Sequence, residues 1–314
     1  MSESSPTLLP NVDAEKLAAE TRTGYLLLIA EDVVWGLYPV LVADLTRRYD
    51  PLLAAGVSAL SAAIPFWLVL ARRGLIHTLW DPAVRGTLVA IALTATVLSS
   101  LFFFVGASAT TGLNASLLSQ VEPVYSLFLA GIFLKEVITK SQIAATLLLL
   151  LGAVAIMWQD GLTFQRGDLL VVLTPLWYQI GHMLAKRIFP KLAHPYAVPA
   201  VRMGLGGTIL LSLALVQKPE LASSLLDPVA MAPLVLFGLV LVGAEKLLWY
   251  EALRRIDLAK ATALLVPSVG VGVLGAWVIM GEKPRESQWL GFVLMLVGLS
   301  WLAYQGLRPR RRVG

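Results

Sequence analysis

Residues 86–106 read GTLVAIALTATVLSSLFFFVG, a run of uncharged side chains from end to end. At about 1.5 Å of rise per residue, a helix over this stretch covers about 30 Å, the thickness of a bilayer's hydrocarbon core. Backbone amides in lipid must be satisfied within their own segment, so the run reads as a transmembrane helix. Comparable apolar blocks lie on both sides of it, at 23–43, 52–71, 113–134, 142–159, 167–188, 197–217, 231–253, 262–280 and 287–306. The connections are short and carry turn and charge signals: Asp50-Pro51, Arg72-Arg73-Gly74, Asp81-Pro82, Asp227-Pro228 and Lys283-Pro284. The reading is an all-α integral membrane protein of ten transmembrane helices.

Composition agrees. The chain is 57% hydrophobic and only 14% charged, whereas a soluble domain carries about 25% charge. Its mean hydropathy is +0.76. There is no cysteine, which excludes disulfides, thiolate metal sites and a cysteine nucleophile. Residues 1–22 read as a polar cytoplasmic tail rather than a cleaved signal. Residues 307–314, with Arg308, Arg310, Arg311 and Arg312, read as a basic cytoplasmic tail held to anionic lipid.

With the N-terminus inside, inside segments hold 17 Lys and Arg and outside loops hold 6. This places both termini in the cytoplasm and the chain in the cytoplasmic (inner) membrane as a multi-pass protein. The halves also repeat. A shift of 146 lays Glu136 on Glu282, Gln142 on Gln288, Gly152 on Gly298 and Gln159 on Gln305, with Ala115 on Ala261 and Leu118 on Leu264. A shift of 142 lays Trp35 on Trp177 and Ala43 on Ala185. Five spans per half is an odd number, so the second repeat is inverted in the membrane. The repeats are expected at 23–161 and 162–306, an architecture that recurs in secondary transporters with a midplane site.

Several motifs resemble the drug/metabolite transporter superfamily in its ten-helix EamA form. They are Leu117-Leu118-Ser119-Gln120-Val121-Glu122-Pro123-Val124, Leu134-Lys135-Glu136 and the Gly152 span in the first half, and Met280-Gly281-Glu282 in the second. Trp35-Gly36 and Ala185-Lys186-Arg187 add to the resemblance, which covers about 23–306. The second half departs from it in having Val266-Pro267-Ser268 in place of Glu-Pro, and span 1 departs in carrying Glu31-Asp32. The resemblance implies export of a small molecule. It does not choose among amino acids, nucleotide-linked metabolites, amines and drugs.

Charged groups inside spans cost at least about 2.5–3.5 kcal/mol each, so they mark interior or water-filled positions. Glu31, Asp32, Glu122, Glu245 and Lys246 fall at similar depth, which predicts a polar central cavity. Glu31, Trp35 and Tyr38 share a face at i, i+4 and i+7; Glu245 and Trp249 share one, as do Tyr178 and His182. Carboxylates among aromatics suit a cation, and a desolvated carboxylate exchanges protons. These ten residues form the expected substrate-binding or proton-coupling set.

Blander readings compete. Lys246 with Glu31 or Asp32 makes a structural ion pair, Glu122 serves the break at Pro123, and His182 sits at a wet mouth. Arg202 snorkels to the interface. Glu136 and Glu282 serve helix ends, the Phe102-Phe103-Phe104 run packs or meets lipid, and Gly270, Gly272 and Gly275 permit close helix approach.

The expectation is a secondary transporter, an exporter of a small metabolite or organic cation, with alternating access and proton coupling. The alternative substrate is a neutral or aromatic amino acid. A membrane-embedded enzyme is the rival class, but no metalloprotease, serine-hydrolase or phosphate-loop motif is present. No cofactor and no nucleic-acid partner is expected; the partners are substrate, protons and the lipid bilayer.

Overall fold

The computed structural model describes residues 11–133, 138–158, 165–253, 255 and 266–307. Glu136, Gln159, Arg254, Lys260, Ala261, Leu264 and the tail from Arg308 to Gly314 lie outside the described residues. The described residues form helices joined by short turns, with no β-strand among them.

Helix α1 spans Asn11–Thr46 and α2 Pro51–Arg72. The expected polar tail is thus helical from Asn11 onward, continuous with the first span, because nothing before Thr46 stops the helix. Asp50 caps α2, accepting from the amides of Leu52 (2.9 Å) and Leu53 (3.1 Å), with Pro51 in the first turn. Gly74, at φ 66°, closes the other end of α2. Helix α3 covers Arg85–Ser108, with a π-helical turn at Leu93–Leu98.

The expected fourth span is broken in two. Helix α4 is Gly112–Ser119 and α5 is Glu122–Phe133. Pro123 has no amide proton to donate back to Ser119, so the ladder parts at Gln120 and Val121. Helix α6 (Lys140–Met157) starts on a Thr139–Gln142 capping box. Helix α7 (Arg166–Ile188) and α8 (Ala197–Gln217) follow. Helix α9 (Pro228–Ala252) is capped by Asp227 and carries a second π-helical turn, Phe237–Val242. Helices α10 (Val266–Met280) and α11 (Glu286–Leu307) complete the bundle.

Seven of these helices are long and apolar enough to cross a membrane, and α10 is a shorter apolar helix. Packing follows a regular scheme. Helix α2 packs on α8, α6 on α11, and α4 on α10. Helix α1 packs on α9 and α10, while α7 packs on α3 and α4.

The apolar surface is turned outward. On α1, Leu26, Ile29 and Val33 are exposed while Leu28, Glu31 and Asp32 are buried. On α6, Ile143, Leu147, Leu151 and Val154 form an exposed stripe. A water-soluble protein would bury these faces; here lipid covers them.

Of the three glycines expected to permit close helix approach, two do so. A Cβ on Gly272 would run into Ser116 Oγ, and one on Gly275 would come within 2.8 Å of Leu37, but Gly270 faces open space. Phe103 and Phe104 are buried, so at these two positions the run packs in the interior.

Candidate functional site

The helices surround a cavity lined by charged, hydroxyl and aromatic side chains. Nine of the ten expected residues line it: Glu31, Trp35, Tyr38, Glu122, Tyr178, His182, Glu245, Lys246 and Trp249. Asp32 does not. It is buried beside the cavity with Oδ1 unpartnered, because adjacent helical side chains diverge by about 100° and Glu31 takes the inward direction.

The aromatic residues form a continuous wall. Trp35 stacks on Tyr38 (5.7 Å between centroids, 9° between planes), and Tyr38 stacks on Phe103 at 5.5 Å. Tyr178 meets Trp35 edge-on at 6.1 Å. His182 lies between Tyr178 (5.6 Å) and Trp249 (6.3 Å), so it belongs to the wall rather than to a solvated mouth.

Charge is distributed unevenly along this wall. Glu122, at the first position of α5, accepts from the Tyr178 hydroxyl at 3.0 Å and from the Gln179 side-chain amide. The helix break and Glu122 are therefore one device: the break points a carboxylate at α7. Lys246 pairs with its own neighbour Glu245 (2.5 Å to Oε2), not with Glu31 or Asp32. Two long side chains that leave the helix in different directions can still fold back to meet inside a cavity. Its Nζ also lies 6.0 Å over the Trp35 ring. Glu31 is left with Oε2 buried and unpartnered.

The sequence reading misplaced Arg202. It does not snorkel; it is 4% exposed and lines the cavity. Its Nη2 donates to the Ala95 carbonyl (2.5 Å) and its Nε to Thr96 Oγ1 (3.2 Å). The π turn explains why that carbonyl is available. The Ser99 amide donates to Thr94 and Thr96 and passes over Ala95. Sequence reading also missed Gln179, which donates to Glu122, and Ser58, Ser99, Ser100, Ser119 and Thr174 around the cavity. Serine and threonine in apolar helices give no separate signal.

A second group of polar residues lies at helix ends. The amide of Gly281, at φ 68°, donates to Trp277, and that of Glu282 donates to Ala276. This cap turns Glu282 toward α4, where it accepts from the amides of Gly112 (3.2 Å) and Leu113 (2.8 Å) and pairs with Arg47 at 2.7 Å. A carboxylate at a helix N-terminus is favoured by the exposed amides there. Nearby, Asp168 accepts from Thr110 and from Asn114 (3.0 Å), and Asn114 accepts from Gln288 at 2.7 Å. Asp50 accepts from Lys218 at 2.9 Å.

Among the described residues no group of three or more His, Asp or Glu is placed to hold a metal ion. The site offers a cavity with both signs of charge, an aromatic wall and hydroxyls. That is equipment for binding a small molecule.

The comparisons with known proteins agree with this. The EamA-like transporter family pattern matches residues 22–158 and again 165–304. A Salmonella typhimurium protein named a probable amino-acid metabolite efflux pump is 26% identical over 92% of this chain and 97% of its own length. One from Streptantibioticus cattleyicolor, named a probable terminal-alkyne amino-acid exporter, is 30% identical over 63% of this chain. An uncharacterized transporter of Methanothermobacter thermautotrophicus is 28% identical over 68% of this chain. The chain spans 66% and 63% of the length of these last two relatives. A protein crystal structure with 16% identity superposes at a TM-score of 0.64, covering 94% of this chain and 99% of that one, and shares its fold. The two family matches together take in nearly the whole of 22–304, and the chain belongs to the EamA-like transporter family of multi-pass membrane transporters.

Proposed function

We propose that this protein exports a small zwitterion of the amino-acid class by alternating access, coupled to protons through the cavity carboxylates. The observation that carries this reading is the mixed charge of one cavity. Glu31, Glu122 and Glu245 face it with Lys246 and Arg202, inside an aromatic wall. An ammonium and a carboxylate on one molecule match both signs. The relatives named as an amino-acid exporter and an amino-acid metabolite efflux pump support the same class.

The architecture proposed is ten crossings in two inverted repeats, 23–161 and 162–306, with both termini on the cytoplasmic side of the inner membrane. The packing scheme supports it. The pairing of α1 with α9 and α10 is echoed by that of α7 with α3 and α4. The two π turns, Leu93–Leu98 and Phe237–Val242, fall at matching places of the two halves. Asp81-Pro82 and Asp227-Pro228 precede the helices that contain them.

A second reading, an organic cation without a carboxylate, is favoured by the unpartnered Glu31 Oε2 and Asp32 Oδ1. One experiment separates the two. Proteoliposomes carrying an interior pH dye are challenged with neutral amino acids, aromatic ones included, and with their decarboxylated amines. The expected result is a proton signal with an amino acid that is lost in Glu31→Gln or Glu122→Gln. A signal with amines alone selects the cation. Labelled amino acid that crosses without moving protons, in the wild type and in the Glu31, Asp32, Glu122 and Glu245 amide variants alike, removes the coupling role and leaves a facilitator.

A further inference from the structure

We propose that Arg202 is the carboxylate anchor of this cavity, so that the molecule carried must bear a free carboxylate. The proposal rests on the cavity being the transport site and adds which residue selects what enters it.

A guanidinium stays charged at any physiological pH, and burying it unpaired is costly. Arg202 is nonetheless buried, and no carboxylate pairs with it among the described residues. Its partners, the Ala95 carbonyl, the Thr96 hydroxyl and the Tyr250 hydroxyl, are neutral dipoles. They hold the group in place and leave its charge uncompensated. Nη1 is buried with no partner.

The donor count points to what is missing. A guanidinium has five N–H donors. One on Nε and one on Nη2 are engaged, and both on Nη1 are free. A carboxylate grips a guanidinium at two points through one N–H on each of two nitrogens, so Nη1 supplies one arm of that grip and Nη2 the other. The other cation facing the cavity, Lys246, is already neutralised by Glu245. A doubly charged phosphate ester would meet repulsion from Glu31 and Glu122. A carboxylate whose molecule also brings an ammonium for Glu31 would not.

The holder is built for this geometry. The π turn of α3 presents the Ala95 carbonyl, which also accepts from Ser99 Oγ at 2.7 Å. Gly206, one turn after Arg202 on α8, lets that helix approach so closely that a Cβ would lie 2.6 Å from Thr96 Cγ2. Gly181 on α7 is pressed against Ala95 in the same way. Three helices thus fix one guanidinium at the cavity wall.

The test uses three labelled probes with one side chain: L-phenylalanine, L-phenylalaninamide and phenethylamine, or the same trio built on whichever standard amino acid the wild type carries fastest. Wild-type protein in proteoliposomes should carry the amino acid at least about tenfold faster than the other two. In Arg202→Gln the amino-acid rate should fall about tenfold, to the level of the amide and amine, whose own rates stay within about twofold. Arg202→Lys should restore part of the preference. Thr96→Val, which loosens the holder and keeps the charge, should reduce the preference by about threefold; it also serves if Arg202→Gln does not fold. A fall in all three probes alike, or an intact amino-acid preference in Arg202→Gln and Thr96→Val, overturns the anchor and leaves the amino-acid reading standing. A wild type that carries the amine in preference, or none of the twenty standard amino acids, overturns both.

Discussion

The two polar regions of this molecule are built on opposite terms. At the helix ends, Glu282, Arg47, Asn114, Gln288, Asp50 and Lys218 satisfy one another or the first amides of a helix. Among the described residues there, Asp168 Oδ2 alone is left buried without a partner. Around the cavity the reverse holds. Glu31 Oε2, Asp32 Oδ1 and Arg202 Nη1 are all buried and all unpartnered. Satisfied networks rigidify a fold, while unsatisfied charged groups destabilise it and persist where function requires them. The helix-end cluster therefore reads as scaffold and the cavity cluster as machinery, and this difference is open to measurement.

The largest contrast should come from Glu31→Gln. It removes a desolvated charge that has no partner, so flux of protons should stop while thermal stability in detergent holds or rises by about 2–4 °C. A melting point that drops as transport fails would mean that Glu31 is scaffold after all, and the contrast between the regions would collapse.

Glu122 and Glu245 are exceptions within the cavity: Glu122 accepts from Tyr178 and Gln179, and Glu245 already has Lys246. Glu245→Gln strands an ammonium that is mostly buried and should destabilise by about 3 kcal/mol. Adding Lys246→Met should restore most of that loss, because both charges are then gone. Equal destabilisation in the single and double variants would show that the pair contributes little, and that each residue acts alone. Asn114→Ala should come next, at about 2 kcal/mol, because it leaves Gln288 without its acceptor and takes one donor from Asp168. Unlike Glu31→Gln, the protein that survives should keep its substrate preference. A changed preference would tie the helix ends to selection.

How much of this was legible beforehand depended on whether the cause was local. Glu31, Trp35 and Tyr38 were placed on one cavity face by helical spacing alone, and Pro123 announced the broken helix. Met280-Gly281-Glu282 marked a helix end, but nothing nearby in sequence shows that Glu282 reaches the amides of α4. Arg202 was hidden for a related reason. It stands six positions into α8, where an arginine normally reaches for the interface, and its partner is a carbonyl on another helix. That carbonyl is offered by a π turn within Leu93–Leu98, and the residues there, apart from Thr94 and Thr96, look like any other membrane segment. Lys246 was assigned a distant partner because adjacent side chains leave a helix in different directions. The cavity gave both chains room to bend back. Spacing rules report where a side chain starts and not where a flexible one ends.

The smallest predicted effect concerns Asp50, at the turn between α1 and α2. Burial alone would raise its pKa, but the Lys218 ammonium and the amides of Leu53 and Leu52 outweigh that and hold it below the ordinary value. A carboxyl depressed by folding adds stability above its unfolded pKa of about 3.9, and that stability is lost as pH falls through the lower folded value. Asp50→Ala should therefore cost about 1 kcal/mol at pH 7, mainly through the lost helix cap. The gap in melting temperature between wild type and variant should stay constant from pH 7 to about pH 5 and narrow below about pH 4. Lys218→Ala should have a weaker effect, since Lys218 is a solvent-exposed partner and the cap survives without it. A gap that widens on acidification would mean that the protonated form of Asp50 is the one the fold prefers, and would move this residue out of the satisfied scaffold and into the group with Glu31.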